Sequence, residues 1–214
     1  ESVRAVASYG TAFKAPTFNE LFFPNFGDPA LDPERSRTAE LALKGTMEET
    51  RWSLSVFRSE VRNLIGFDPL TFLAVNVGRA TIRGIEMELA KRIFGFDVGA
   101  SLTLLEPKDQ SPGANFNKVL PRRARRIARL DVDRQIGAFA FGTTIHTEGD
   151  CFDDPANTRR LGGFTVIDLR AQYQLAKAWS LQARVENALD KRYSTVAFFN
   201  QPDRGAYMTL RYQP

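Results

Sequence analysis

The sequence predicts an all-β chain, an antiparallel up-and-down transmembrane β-barrel of which about ten strands lie in this segment. Three observations predict it. Hydrophobicity repeats with a period of two along nearly the whole chain. Connections alternate between short and long. One strand face carries too much charge for a small closed core.

Period two is the signature of a strand, because successive side chains point to opposite faces. The first alternating segment spans 2–13, and further ones follow at 37–48, 51–64 and 75–92. From Phe96 to Leu104, the set Phe96, Val98, Ala100, Leu102 and Leu104 opposes Asp97, Gly99, Ser101 and Thr103. Segments at 122–134 and 138–148 come next. In 165–175, Ile167, Leu169, Ala171, Tyr173 and Leu175 oppose Asp168, Arg170, Gln172 and Gln174. Trp179, Leu181, Ala183 and Val185 oppose Ser180, Gln182, Arg184 and Glu186, and Met208, Leu210 and Tyr212 close the series. No segment reads as a helix.

Tight turns are expected around Glu48-Glu49-Thr50, Phe94-Gly95, Gln135-Ile136-Gly137 and Ala176-Lys177-Ala178. The other connections are long: 14–36, 65–74, 106–121, 149–162 and 193–204. Strict alternation puts all long loops at one end, as in outer-membrane barrels with short periplasmic turns and long external loops. Glu40, Lys44, Glu86, Glu88, Arg129, Asp131, Asp133, Asp168, Arg170, Arg184 and Glu186 share one side of their strands. Burying so many charges in a small barrel is costly unless each is paired, whereas a wide lumen tolerates them. Trp52, Phe96, Tyr173, Trp179 and Tyr212 fall near strand ends, where an interfacial aromatic girdle belongs.

Composition narrows the function. The 214 residues are 43% hydrophobic and 25% charged, with a net charge of +4, too small an excess to imply nucleic acid. A single cysteine, Cys151, excludes an internal disulfide and a multi-thiolate metal site, and a single histidine, His146, excludes a two-histidine site. Nothing forms a catalytic constellation or a glycine-rich phosphate loop, so neither an enzyme nor a cofactor is expected. Glu1-Ser2-Val3-Arg4-Ala5 starts inside an alternating segment, as expected of a piece of a longer protein.

Four runs carry a family resemblance. Phe13-Lys14-Ala15-Pro16-Thr17 and Gly27-Asp28-Pro29-Ala30-Leu31-Asp32-Pro33-Glu34 lie in the first long connection. Asn76-Val77-Gly78-Arg79-Ala80-Thr81-Ile82-Arg83-Gly84-Ile85-Glu86 opens the fourth strand, and Asn187-Ala188-Leu189-Asp190-Lys191-Arg192-Tyr193 follows the penultimate one. In this order the chain resembles the TonB-dependent outer-membrane receptors. That resemblance implies a barrel of about 22 strands with an N-terminal plug. Residues 1–214 would then be its C-terminal portion, the last ten strands, with the plug and earlier strands lying outside this chain. It also implies uptake of a large scarce solute, energised by the TonB complex through the plug. Thr17-Phe18-Asn19-Glu20-Leu21-Phe22-Phe23-Pro24, the opening Leu120-Pro121-Arg122-Arg123-Ala124 and the short last loop 196–204 resemble the family's cobalamin (vitamin B12) transporters most. Ferric-siderophore and haem receptors of the same family share parts of these runs. A passive porin or autotransporter barrel, or a soluble β binding protein, is the alternative outside the family. Barrels of this kind usually finish on an aromatic; here Pro214 is terminal and Tyr212 is the last aromatic.

Candidate residues follow. Phe198, Phe199, Asn200 and Gln201 in the last loop pair flat aromatics with amides that suit a corrinoid or similar chelate, although a loop cluster explains them as well. Phe22, Phe23 and Phe26 offer three aromatics in the longest loop, for binding or for packing over the mouth. Glu86, Glu88, Arg125, Arg129, Asp131, Asp168, Arg170, Arg184 and Glu186 are the expected lumen set, and the resemblance turns them toward the plug. Within the basic run 122–129, Arg123, Arg125 and Arg129 fall on one strand face, and Arg122 and Arg126 on the other. The outward pair would meet outer-membrane lipid and lipopolysaccharide phosphates. Asp150, Asp153 and Asp154 are hard ligands that suit calcium, with a solvated turn as the plainer reading.

Overall fold

The computed structural model describes residues 2–68 and 71–213; Pro214 and the middle of the 65–74 connection lie outside them. The elements are β1 (Ser2–Lys14), α1 (Phe18–Phe22), β2 (Glu34–Met47), β3 (Thr50–Asp68), β4 (Leu73–Ile93), β5 (Phe96–Asp109), β6 (Arg126–Ile136) and β7 (Phe139–Glu148). They continue with β8 (Cys151–Phe152), β9 (Arg160–Leu161), β10 (Phe164–Ala176), β11 (Trp179–Glu186), β12 (Ser194–Val196), β13 (Phe199–Asn200) and β14 (Gly205–Tyr212).

Ten strands form one antiparallel sheet in the order β1-β2-β3-β4-β5-β6-β7-β10-β11-β14. It is an up-and-down meander whose first and last strands do not pair, a partial barrel. The remaining strands are two small hairpins, β8–β9 and β12–β13, inside long loops. The turns at the short end are all two residues long, because Met47 pairs with Thr50, Ile93 with Phe96, Ile136 with Phe139 and Ala176 with Trp179. Phe94 (φ 51°) and Gly95 (φ 80°) both occupy the left-handed region, which the twist of a two-residue hairpin demands.

Cross-strand partners share a face, and across the middle of the sheet the register separates a polar face from an apolar one. One row runs Lys44, Ser53, Glu88, Ser101, Arg129, His146. Another runs Arg92, Asp97, Asp133, Gly142, Arg170, Arg184, Tyr207. The opposite face carries Leu41, Val56, Ile85 and Leu104 in one row and exposes Leu43, Leu54, Met87, Leu89, Phe141, Leu169, Met208 and Leu210. Lipid is the medium that suits such a face, and water such a lumen. Its short-turn end bears rings in contact: Phe139–Tyr173 at 4.5 Å, Trp179–Tyr212 at 4.8 Å, and the Arg134 guanidinium 4.5 Å over Phe96.

Strand ends differ from expectation at the long-loop end. β3 and β4 continue to Asp68 and from Leu73, so the hairpin replaces most of the anticipated 65–74 loop. A 21-residue β4 is roughly 70 Å long, about twice what a membrane strand needs, so its far end stands clear of the bilayer. Leu64-Ile65-Gly66-Phe67 does not alternate in polarity, which hid the extension, although the register runs on unshifted from Arg62–Arg79 to Asp68–Leu73. β6 starts at Arg126 and not at 122, since Arg122 adopts φ 55° and leaves strand geometry. Arg123 and Arg125 therefore precede the strand. One short helix, α1, occurs where none was expected. Its signal was the capping box of Thr17 and Glu20: Glu20 N–H donates to Thr17 Oγ1 (3.2 Å) and Thr17 N–H to Glu20 Oε2 (2.6 Å).

Trp52 lies flat over Gly45, its strand partner; a Cβ on Gly45 would sit 2.5 Å from the indole. Such aromatic cover restores the packing that a strand glycine forfeits. In the whole barrel, Trp52→Ala is expected to lower stability by about 1–3 kcal/mol, read as an earlier urea midpoint in vesicles. An unchanged midpoint would show that lipid alone covers Gly45.

Candidate functional site

The long loops gather at one end and hold one another through a continuous chain of contacts. The chain begins in the 15–33 connection. Lys14 Nζ bonds Glu20 Oε1 (3.1 Å) and Glu34 Oε1 (3.2 Å), tying α1 to the feet of β1 and β2. Gly27 N–H donates to the Phe23 carbonyl and Asp28 N–H to the Glu20 carbonyl, both at 2.8 Å, folding the segment back on the helix. Asn76 of β4 clamps it further: Nδ2 donates to the Asp32 and Asn63 carbonyls, and Oδ1 accepts from Asp32 N–H at 2.8 Å.

Rings carry the chain across. Phe26 contacts Phe23 (6.4 Å) and Phe67 on the β3–β4 hairpin (6.2 Å). The Arg122 guanidinium lies 5.2 Å over the other side of this cluster, at Phe67. Arg122 Nε then donates to Asp153 Oδ1 at 2.7 Å, and Arg122 N–H to the Phe152 carbonyl at 2.6 Å. Asp153 is 4% exposed and also accepts from Ala197 N–H (3.3 Å) in the last loop. Arg159 closes the chain, 3.9 Å from Asp153 Oδ2 and 4.9 Å over the Phe198 ring. Asn157 adds a second brace, accepting from Val119 N–H and donating to its carbonyl, each at 2.8 Å. Five connections thus form one cap.

Within this cap Phe26 is committed to packing, while Phe22, Phe23, Phe198 and Phe199 remain more than half exposed. Phe198, at φ 70°, tops the β12–β13 hairpin. Asn200 and Gln201 are used inside that hairpin: Asn200 Oδ1 accepts from Ser194 Oγ (3.0 Å) and Gln201 Nε2 donates to Thr195 Oγ1 (2.9 Å). Among the described residues, Phe26, Phe67, Arg122, Asp153 and Arg159 link Phe23 to Phe198. A cavity of about 760 Å³ opens between the β3–β4 hairpin and the 110–125 and 149–163 loops, lined by Asn76, Ser111, Pro112, Asn115, Asp154 and Arg159 among others. It has the size of a small-molecule site. Of its lining residues only Asp154 is a ligand candidate from sequence; Asn76, Val77 and Gly78 belong to a family-resemblance run, and Ser111 to Asn115 carry ordinary turn composition.

The three aspartates proposed for calcium are occupied. Asp150 accepts from Arg160 Nε (3.0 Å), a bond that holds its carboxyl below the usual carboxylate range. Asp154 sits below that range too: burial opposes this, but the Arg159 and Thr158 N–H groups and the Thr158 hydroxyl outweigh it. Asp153 serves Arg122 and Ala197. Among the described residues no group of three or more His, Cys, Asp or Glu is placed to hold a metal. Burial, with Glu148 and Asp150 nearby, pushes the Cys151 thiol up and keeps it protonated.

The lumen set has its own order. Glu86, Glu88, Arg129, Asp131, Asp168, Arg170, Arg184 and Glu186 all lie on the polar face by register. Arg129 grips Asp131 with two bonds (2.6 and 2.9 Å). Arg170 grips Asp133 (2.6 Å) and Thr144 (2.7 Å), and Thr144 donates to Asp131. Gly142 makes room for this, since a Cβ there would strike both Arg170 and Asp133. Arg184 pairs with Glu186 at 3.2 Å and covers Tyr207, and Asp168 receives Asn187 N–H. Arg125 directly precedes β6, and its carbonyl accepts from Leu105 N–H.

Comparison with known proteins decides the family. The family model described as TonB dependent receptor-like, beta-barrel matches residues 1–188. The chain belongs to the TonB-dependent receptor family. Members are transporters and receptors of the outer membrane, so this sheet is part of an outer-membrane barrel. It is 32% identical to the vitamin B12 transporter BtuB of Photobacterium profundum, over 99% of the chain and 35% of that protein. The BtuB of Vibrio vulnificus is also 32% identical, over 90% of the chain and 31% of the relative. The chain spans about a third of the length of these curated relatives. Among solved structures, the ferric citrate transporter FecA in its unliganded form superposes with a TM-score of 0.81 at 17% identity, covering 99% of this chain and 36% of that one. The siderophore receptor PiuA from Acinetobacter baumannii superposes at 0.79 and 21%, covering 98% and 34%. These likenesses establish the fold.

Proposed function

We propose that this chain supplies the last ten strands and the corresponding external loops of a TonB-dependent receptor for cobalamin. The observation that carries the reading is the 32% identity to vitamin B12 transporters, sustained over 99% of the chain. The plug and the earlier strands belong to the same polypeptide outside this segment. The exposed rings Phe22, Phe23, Phe198 and Phe199 and the neighbouring cavity form this segment's share of the capture site. Apolar rings facing water lower their free energy by covering a broad flat solute. On the lumen face Arg129, Asp131, Arg170, Arg184 and Glu186 form the polar wall against which the plug sits, and TonB acts on that plug from the periplasmic side. Charges already paired along the wall would let the plug slide without leaving any of them bare.

A ferric siderophore or another anionic chelate is the second reading. Arg159 over the exposed Phe198 favours it, since such a pair suits an anionic aromatic ligand. The whole receptor, purified in detergent, decides between them by titration with cyanocobalamin and with ferric chelates. Saturable cyanocobalamin binding, weakened about tenfold or more by Phe198→Ala plus Phe199→Ala, is expected. Saturable binding of a ferric chelate with none of cyanocobalamin would overturn the first reading in favour of the second.

A further inference from the structure

The outward face of β2–β5 carries a block of cations immediately above the apolar band. Its uppermost row is Arg35, Arg62 and Arg79, directly opposite one another across three strands. The next row is Arg37, Glu60, Thr81 and Lys108, and the third is Ala39, Arg58, Arg83 and Glu106. One row further down the face turns apolar, with Leu41, Val56, Ile85 and Leu104. Seven cations meet two carboxylates. Glu60 takes Arg58 (2.8 Å) and Glu106 takes Lys108 (3.1 Å). Among the described residues no ion pair reaches Arg35, Arg37, Arg62, Arg79 or Arg83.

Like charges directly opposite on a sheet repel. A row of three guanidiniums therefore costs stability unless an anion lies across it. The block is one-sided and one-ended. Beyond β6, whose Arg126 lies opposite Leu104, β7, β10, β11 and β14 turn Thr147, Thr165, Val185 and Ala206 outward near their long-loop ends. At the short-turn end of β2–β5 the outward face shows Trp52, Leu89 and Ala100, and the row below them holds one cation, Lys91, between Thr50 and Val98. Its height fixes the partner: the cations begin where the hydrocarbon ends, at the external leaflet. Phe13 opposite Arg35 and Tyr9 opposite Ala39 put exposed rings beside them, where acyl chains would lie.

We infer that Arg35, Arg37, Arg62, Arg79 and Arg83 form a binding site for the phosphate groups of an anionic glycolipid of the outer leaflet, lipopolysaccharide. Guanidinium forks suit phosphate oxygens bidentately, and the rows are spaced to meet more than one phosphate. This places the lipid site on β2–β5, away from Arg122, which is turned inward to Asp153.

The test uses the whole receptor in neutral detergent, titrated with bis-phosphorylated lipid A and separately with dephosphorylated lipid A, and read by native mass spectrometry. Wild type is expected to retain phosphorylated lipid A at least tenfold better than the Arg35→Gln, Arg62→Gln, Arg79→Gln variant, with the dephosphorylated lipid equally weak on both. The triple Arg→Lys variant, which keeps the charge, is expected to retain an intermediate share and guards against misfolding of the Gln form. Equal retention by wild type and both variants, or equal binding of the two lipids, would overturn the site. Neither result touches the identity of the transported solute.

Discussion

Asp153→Ala is expected to uncouple the external loops while leaving the barrel intact. Asp153 is almost fully buried and is the joint between Arg122, Arg159 and Ala197, so three connections meet on one carboxylate. Removing one partner of a buried ion pair costs about 3–5 kcal/mol when the survivor stays dry. Here the Arg122 side chain is 32% exposed and rehydrates in part, which brings the figure to about 2 kcal/mol. That shifts the ratio of open to closed loops roughly thirtyfold. Hydrogen exchange in the whole receptor should therefore quicken in 149–163 and 187–204, and ligand affinity should fall by about tenfold or more. Exchange in β2–β5 should not change. Asp153→Asn should fall between, because it still accepts from Ala197 but no longer neutralises Arg122. Coincident exchange curves for wild type and Asp153→Ala would mean that Asn157 and the ring contacts alone hold the cap.

Such a joint is invisible in sequence. Asp153-Asp154-Pro155 reads as a solvated turn, and Arg122 as one of a run of arginines alternating along a strand. What makes them a pair is φ 55° at Arg122, which takes it off the strand, and a separation of 31 residues. The clamps from Asn76 to Asp32 and from Asn157 to Val119 are as remote, 44 and 38 residues apart. By contrast, the ten strands, their two faces and the four tight turns were legible, because alternation along a strand is a local pattern that burial on one side and lipid on the other both reinforce. Legibility failed where the period broke. Past Asn63 the strands run on without alternation, and α1 is too short to show a helical period. Its one local signal is the capping box of Thr17 and Glu20. The girdle aromatics were legible one by one, but not the outward arginine block, since Arg35, Arg62 and Arg79 become neighbours only through register.

Gly27→Ala should displace α1 and the rings it presents. A Cβ on Gly27 would lie 2.6 Å from the Leu21 carbonyl carbon and 2.6 Å from the Phe22 nitrogen. Both are backbone atoms, so no side-chain rotation relieves the contact and the turn itself must open. Overpacking of this kind costs about 1–3 kcal/mol, and rigid surroundings place it at the upper end. The bonds from Gly27 to Phe23 and from Asp28 to Glu20 stretch first. Phe26 then loses its seat on Phe67, and Phe22 and Phe23 change their presentation. If these two rings contribute to capture, affinity of the whole receptor falls by about tenfold to a hundredfold, while the heat-induced shift in gel mobility that marks a folded barrel is retained. Gly10→Ala is the matched control. Gly10 sits on β1 with nothing among the described residues within 4 Å of its would-be Cβ, so the added methyl is expected to leave both affinity and mobility unchanged. Unaltered affinity in Gly27→Ala, alongside faster proteolysis of 15–33, would assign Phe22 and Phe23 to closing the mouth and leave capture to the last loop.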